Sequence, residues 1–303
     1  MKTTLNFLLF FFVGQCLSGQ LELPYASSIL HGNYINPAHV DRDSAYHFTF
    51  LNREQWNGAV GAPSSQVLGS LFPLDENSTM GANIFRNASG IQNRFTLDIN
   101  YSYLLRVNEA KLRFGIVASF QQGRKDFTKQ NVLLVDPLDS DPVIEEGIYS
   151  FSSFNTGIGM HYQNGIFGFG ISLPRLLANR LGILGSEKVS NNTPLFANVT
   201  IDAPLGRGST LKNRLHLQFD SDQYSLLQYF IGYNYRRQLD AGLQLNSQIT
   251  NGFGLQSLDF IIAIAIHPDF SLGLSYGVPL SPINQVSPGS FEIFLSYAFM
   301  REY

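Results

Sequence analysis

The stretch RFTLDINYSYLLRV, residues 94–107, alternates apolar and polar side chains along nearly its whole length. The apolar positions are Phe95, Leu97, Ile99, Tyr101, Tyr103, Leu105 and Val107. The intervening positions carry Arg94, Thr96, Asp98, Asn100, Ser102 and Arg106, with Leu104 as the exception. A β-strand directs successive side chains to opposite faces, whereas a helix sorts them with a period of 3.6. The stretch therefore predicts one long strand with an apolar face and a polar face.

The same alternation recurs at residues 111–121, 211–220, 239–246, 270–277 and 291–299. Two features favour a membrane barrel over a soluble sandwich. Many of these strands reach the length of about 9–11 residues that a tilted strand needs to cross a bilayer. Their polar face carries Lys, Arg, Asp and His, which a membrane barrel directs toward a wet interior. We predict an all-β protein, a transmembrane antiparallel up-and-down β-barrel of about 14 strands.

Connection lengths give a second test of this fold. The strands are predicted near residues 44–56, 64–72, 79–86, 93–107, 110–121, 149–163, 166–173, 194–203, 210–220, 226–236, 238–247, 257–267, 269–277 and 290–299. Tight turns alternate with long connections, as in outer-membrane barrels, which join strands by short periplasmic turns and longer external loops. The exception is 221–225, where a short connection occupies an external position.

The chain begins with a basic residue at Lys2, an apolar run from Leu5 to Val13 and small residues near Gly19. This pattern predicts a cleaved secretory signal peptide over residues 1–19. Residues 20–43 lie outside the strand pattern and are expected to form an N-terminal periplasmic or lumenal segment. Residues 44–303 are expected to form the barrel.

Composition excludes several classes of function. Charged residues make up 14% of the sequence, against about a quarter in soluble domains. The formal net charge of −3 gives no electrostatic footprint for nucleic acid. The single cysteine, Cys16, lies in the predicted signal peptide, so the mature chain has no disulfide or thiolate site. A lipoprotein signal at Cys16 is the weaker alternative, because Gln15 is not the small residue that such signals carry.

The sequence predicts no catalytic residue, no cofactor and no metal site. Its histidines are scattered without metal-ligand spacing, at His31, His39, His47, His161, His216 and His267. In the acidic segment 136–146, Asp139 and Asp141 resemble part of a calcium loop but lack the Gly and Glu spacing of an EF-hand. Weak calcium binding there stays open, and an enzyme with polar groups at a barrel rim remains a minor alternative.

Several short runs occur together and in order: Asn36-Pro37-Ala38, Arg53-Glu54-Gln55-Trp56, Gly61-Ala62-Pro63-Ser64-Ser65, Tyr101-Ser102-Tyr103 and Gly289-Ser290-Phe291-Glu292-Ile293. This ordered set resembles the PorP/SprF family of the Bacteroidetes type IX secretion system over essentially the whole mature chain. The chain departs from the family pattern at His39-Val40-Asp41, at Ser65 and at Tyr276-Gly277. These departures leave open whether it resembles the core translocon component or the accessory paralogue.

The resemblance implies a non-enzymatic protein of the bacterial outer membrane that supports export or surface attachment of a partner. Besides the membrane lipid, the implied partners are a secreted protein with a type-B C-terminal sorting domain, such as an adhesin, or periplasmic type IX components linked to gliding motility. The alternative is a porin-like or hydrophobic-solute transport barrel. The family supplies no catalytic or ligand residue, and its motif residues, with a structural or partner-binding role, are Asn36, Pro37, Ala38, Arg53, Gln55, Trp56, Pro63, Tyr101, Tyr103 and Glu292. From the strand pattern, we expect Arg53 and Gln55 to face the lumen and Trp56 to lie at the membrane interface.

Overall fold

The computed structural model describes residues 25–26, 30–128, 147–177, 193–220, 225–249 and 252–300. The predicted signal peptide, residues 1–19, and the acidic segment 136–146 lie outside the described residues. In the part of the chain that is described, no helix combines the length and the apolar character needed to cross a membrane.

Within the described residues, fourteen strands form one closed barrel in which each strand pairs antiparallel with its neighbours in sequence. The barrel closes where the first strand pairs with the last. This confirms the predicted fold class and strand number. The strands are Ala45–Glu54 (β1), Ser64–Pro73 (β2), Ser78–Ser89 (β3), Gln92–Val107 (β4), Ala110–Asp126 (β5), Ile148–Asn164 (β6), Phe167–Leu173 (β7), Leu195–Gly206 (β8), Ser209–Phe219 (β9), Ser225–Tyr235 (β10), Leu239–Gln248 (β11), Gly254–His267 (β12), Phe270–Pro279 (β13) and Ser290–Met300 (β14).

The two ends of the barrel differ in their connections. At the end where β1 begins and β14 finishes, the strands are joined by tight turns such as Asn108-Glu109, and we call this end the short-turn rim. The opposite end, the loop rim, carries the longer connections, including 127–147 and 174–194. The loop rim also has a tight turn at Gly90-Ile91, which the sequence did not predict, because β3 pairs with β4 out to Ser89.

The alternation of side chains sorts the barrel wall as predicted. On β4, Phe95, Ile99 and Tyr101 point outward and are 40–43% exposed, whereas Thr96 and Asn100 point inward and are 1–2% exposed. Leu104, the exception in the sequence pattern, lies on the inner face and is 2% exposed. The outer wall therefore presents a continuous apolar surface of the kind that faces lipid.

The inner face is not uniformly polar, contrary to the simple expectation for a wet lumen. A buried apolar cluster crosses the interior, formed by wall residues and by part of the chain that precedes β1. Its members are Ala26, Tyr34, Leu51, Val67, Phe85, Phe230, Ile261, Ala263 and Phe294. These side chains tolerate an inward position because they contact one another and exclude water.

Candidate functional site

A segment before β1, residues 25–26 and 30–44, lies inside the barrel, and we call it the lumenal segment. Near the loop rim, the backbone N–H of Ala26 donates a 3.0 Å hydrogen bond to Glu292 Oε2. Near the short-turn rim, the Asp43 carboxylate accepts a 2.5 Å bond from Lys111 Nζ. The segment therefore reaches from one end of the lumen toward the other.

The Asn36-Pro37-Ala38 run forms a tight turn pressed against the inner wall. The side-chain oxygen of Asn36 accepts a 2.9 Å hydrogen bond from the backbone N–H of Ala38, and its amide donates a 3.1 Å bond to a β6 carbonyl. Two wall glycines make room for the turn. A Cβ at Gly115 would lie 2.4 Å from the Pro37 carbonyl carbon, and one at Gly159 would lie 2.2 Å from Asn36 Oδ1. The turn is thus fixed by shape and by hydrogen bonds.

A buried ion pair joins the two strands that close the barrel. Arg53 on β1 and Glu292 on β14 lie opposite each other in the register, with 3.7 Å between Nη1 and Oε2. Their side chains are only 4% and 2% exposed. Gln55 is also buried and hydrogen-bonds through its backbone N–H to the Pro63 carbonyl at 2.9 Å. Arg53 and Gln55 therefore face inward, as predicted.

The remaining motif residues lie elsewhere. Tyr101 and Tyr103 point outward on β4 and are 41% and 42% exposed. Trp56 follows β1 at the loop rim with a left-handed backbone (φ 48°), and its backbone N–H donates a 3.2 Å hydrogen bond to Ser290 Oγ. The structure thus divides the family motifs between the lumenal turn, the closing strands, the loop rim and the outer wall. It does not bring them together in one site.

A polar cavity of about 270 Å³ lies between the lumenal segment and the wall in the half of the barrel nearest the short-turn rim. Its lining includes acidic and basic side chains together with several imidazoles, so the lining does not favour cations or anions as a class. Its ionisable lining residues are His39, Asp41, Asp43, Lys111, Arg113, His161, Asp202, Arg214 and His216.

Asp43 connects the lumenal segment to β5 by two ion pairs. Its carboxylate lies 2.5 Å from Lys111 Nζ and 2.8 Å from Arg113 Nη2. Burial raises the pKa of Asp43, but the hydrogen bonds and positive charges of the two cations outweigh burial and hold that pKa below its usual value. Arg113 also donates to Ser102 Oγ at 3.2 Å, so the cation is held from two sides.

A histidine cluster surrounds Asp41, a grouping that the sequence did not predict. His31 Nδ1 lies 3.3 Å from Asp41 Oδ2, His39 Nε2 lies 2.9 Å from Oδ1, and His47 Nδ1 lies 3.7 Å from Oδ2. Burial opposes ionisation of Asp41, but hydrogen bonds from His31 and His39 hold its pKa well below the usual range. The ring of His161 is 4.7 Å from that of His39. The cluster brings the lumenal segment against β1 and β6.

The sequence held only a partial signal for this cluster. Alternation places His47 and His216 on inward faces of their strands, and both are buried. The depth of each residue in the lumen depends on strand register, and the path of the lumenal segment has no periodic pattern. The contact between His39 and His161 therefore follows from the folded chain alone.

Comparisons with known proteins agree with the fold and add a family. The sequence model of the family described as type IX secretion system membrane protein PorP/SprF matches residues 25–297. No curated protein sequence matches the chain.

Solved structures similar to this chain include the toluene transporter TbuX of Ralstonia pickettii, which is 10% identical, with 91% of this chain and 94% of that chain covered and a TM-score of 0.54. A TodX deltaS2S3 mutant monoaromatic hydrocarbon channel is 8% identical, with 92% and 95% covered and a TM-score of 0.52. Omp33 of Acinetobacter baumannii is 7% identical, with 85% and 100% covered and a TM-score of 0.47. At these identities, the first two similarities concern the fold alone.

Proposed function

Because the chain belongs to the PorP/SprF family of type IX secretion system membrane proteins, we propose that it is a non-enzymatic barrel that supports export or surface attachment of a partner protein. Its family and its barrel fold locate it in the outer membrane. The proposed function rests on this family membership, and the filled lumen is the structural observation that favours docking over transport.

The filled lumen favours a docking role over a passage. Leu51 on β1 and Phe230 on β10 point inward and are 0% and 1% exposed. The lumenal segment adds Tyr34, whose hydroxyl donates a 2.5 Å hydrogen bond to Thr49 at mid-height of β1. These side chains belong to the buried apolar cluster, which occupies the lumen on the side formed by β10–β14 and β1–β3. A partner protein therefore meets the rims and the outer wall of this barrel.

The two rims fit two classes of partner. By the usual orientation of outer-membrane barrels, the loop rim faces the exterior and the short-turn rim faces the periplasm. A signal peptide over residues 1–19 delivers the chain to this membrane. In this proposal, a secreted protein with a type-B C-terminal sorting domain contacts the loop rim. Periplasmic type IX components, including those of gliding motility, contact the short-turn rim.

Gene deletion followed by surface proteomics tests the function. We expect one or a few secreted proteins to disappear from the cell surface while uptake of small solutes stays unchanged, and we expect the intact gene to restore display. Unchanged display contradicts the proposal.

Site-specific photocrosslinking then separates the two partner classes. A photoreactive residue at Val60, which is 82% exposed at the loop rim, is expected to capture a secreted protein. The same residue at the exposed Glu109 in the β4–β5 turn is expected to capture a periplasmic component. Capture of the same proteins from both positions contradicts the assignment by rim.

Transport of a hydrophobic solute is the second candidate. The fold shared with a toluene transporter favours it, whereas the buried apolar layer across the lumen opposes an aqueous pore. Uptake of an aromatic hydrocarbon by intact cells that carry or lack the gene distinguishes the two, because loss of a docking barrel leaves that uptake unchanged.

A further inference from the structure

We propose that His31, Asp41 and His47 bind a transition-metal ion of the zinc class, which ties the lumenal segment to the barrel wall. Each residue offers one ligand atom, and the three atoms lie within 4.8 Å of one another. This inference does not depend on the proposed function, because it concerns how the interior of the barrel is held together.

The distances suit a tetrahedral site. Zinc binds histidine nitrogen and carboxylate oxygen at about 2.0–2.2 Å, so two ligands of one tetrahedral ion lie about 3.3–3.6 Å apart. Asp41 Oδ2 lies 3.3 Å from His31 Nδ1 and 3.7 Å from His47 Nδ1. The two distances to Asp41 need to change by only a few tenths of an ångström, and the two histidine nitrogens, which lie within 4.8 Å of each other, have to approach to the same separation.

Hydrogen bonds on the far side of the ligands already orient them. His47 Nε2 lies 2.7 Å from Ser296 Oγ on β14. When that nitrogen carries the imidazole proton and donates a hydrogen bond to Ser296 Oγ, the lone pair of Nδ1 is free to bind a metal. The second oxygen of Asp41 lies 2.9 Å from His39 Nε2, which holds the carboxylate plane. Ligating histidines and carboxylates in metal sites are commonly fixed by partners of this kind.

The donor set selects the class of metal. Two imidazole nitrogens and one carboxylate oxygen suit zinc, nickel or copper, whereas calcium and magnesium prefer oxygen ligands throughout. Three protein ligands leave a fourth position for water. The adjacent polar cavity, which His39 and Asp41 also line, gives that position access to solvent.

The site ties the lumenal segment to the first strand of the wall at a point other than the backbone connection between them. His31 and Asp41 belong to the lumenal segment, His47 belongs to β1, and Ser296 lies opposite Thr49 on the strand that closes the barrel. Metal binding is therefore expected to stabilise the filled barrel, because an ion that binds only the folded state raises its stability.

Metal titration of the purified full-length barrel in detergent tests the site. After treatment with a chelator, we expect the wild-type barrel to bind one Zn²⁺ per chain, measured by calorimetry and elemental analysis, and to gain thermal stability. The same concentration of Ca²⁺ is expected to give no gain. We expect Co²⁺ at this site to show the visible absorption of tetrahedral coordination.

Variants locate the binding. Ser296→Ala, which removes a partner of a ligand, is expected to weaken Zn²⁺ binding by about 10-fold, and His31→Ala and Asp41→Asn, which remove a ligand, by a larger factor. The matched control is His267→Ala, since the His267 side chain is 66% exposed at the short-turn rim and lies outside the cluster. Heat-modifiable electrophoresis checks that each variant is folded. Absence of Zn²⁺ binding by the wild type, or equal binding by folded His31→Ala, overturns the proposal.

Discussion

At the scale of single residues, Arg53 and Glu292 carry opposite charges into a place with almost no contact with water. Both have further interactions, so the pair is part of a network that also includes the Ala26 N–H. A charge buried in this way is tolerated only while its partner remains. This dependence makes the pair a sensitive test of barrel closure, because one member lies on β1 and the other on β14.

We expect Glu292→Leu to lower the free energy of unfolding by about 3–5 kcal/mol, because it leaves the Arg53 guanidinium buried beside an apolar side chain. The double variant Arg53→Met/Glu292→Leu is expected to recover a large part of that loss. Urea unfolding of the refolded barrel in lipid vesicles, followed by tryptophan fluorescence, measures both. Glu54→Gln, at the exposed neighbouring position, serves as the control. A double variant as unstable as the single one contradicts the expectation.

Individual residues also show what the sequence can and cannot predict about the site. A period of two was enough to predict that Arg53 and Gln55 face inward and Tyr101 faces outward. It could not predict that His31, Asp41 and His47 meet, since that contact depends on the path of a segment without periodicity. Nothing local in the sequence encodes such a path.

At the scale of elements, β5 displays the two environments of the wall most clearly. Ile116 points outward and is 58% exposed, while Val117 points inward and is 4% exposed. Strand boundaries were predicted less well where the outer face becomes polar near a rim. For β3, the prediction ended at residue 86, whereas the strand continues to Ser89 because Asn87 and Ala88 still pair with β4.

The depth of a position on β5 should set the effect of a new charge. We expect Ile116→Arg to lower stability in lipid vesicles by about 2–4 kcal/mol, since arginine on the lipid face is most unfavourable near the bilayer midplane. Gln122→Arg lies on the same outer face closer to the loop rim and is expected to change stability by about 1 kcal/mol or less. Urea titrations in vesicles measure both variants. Equal effects contradict a lipid-facing wall.

The wall glycines should control how the lumenal segment docks. We expect Gly115→Val to displace the Asn36-Pro37-Ala38 turn, at a cost of about 1–3 kcal/mol for overpacking. Trypsin cleavage after Arg42, identified by sequencing the new N-terminus, should become faster as the segment loosens. Gly254→Val is the control, because the nearest atom to its added Cβ is 4.0 Å away. Unchanged cleavage of Gly115→Val contradicts the docking role.

At the scale of the whole molecule, the barrel wall and the lumenal segment share one buried apolar cluster. The apolar cluster contains residues from β1, β2, β3, β10, β12 and β14 as well as from the lumenal segment. The sequence predicted the cylinder well, because alternation and connection lengths report on strands. It predicted the closed interior poorly, because inward apolar residues such as Phe230 and Phe294 interrupt the alternation without indicating what they pack against.

Planar-bilayer recording tests the closed interior. We expect the full barrel to give no steady ion conductance, and we expect deletion of residues 25–43 to open a conducting path, because the segment that crosses the lumen is then gone. Electrophoretic mobility without heating verifies that the deleted form remains a barrel. Steady conductance by the intact protein contradicts a lumen closed by its own chain.

The hydrogen bond between Ala26 and Glu292 joins residues 266 positions apart, and it has a consequence for biogenesis. Ala26 is synthesised long before Glu292, so it finds its partner only when β14 has been made. A barrel that closed first would have to admit the lumenal segment through one of its ends. We therefore expect the strands to assemble around this segment before β1 pairs with β14. Contacts between residues so far apart in sequence form slowly. The periplasmic folding intermediate is therefore expected to keep Ala26 available until β14 arrives.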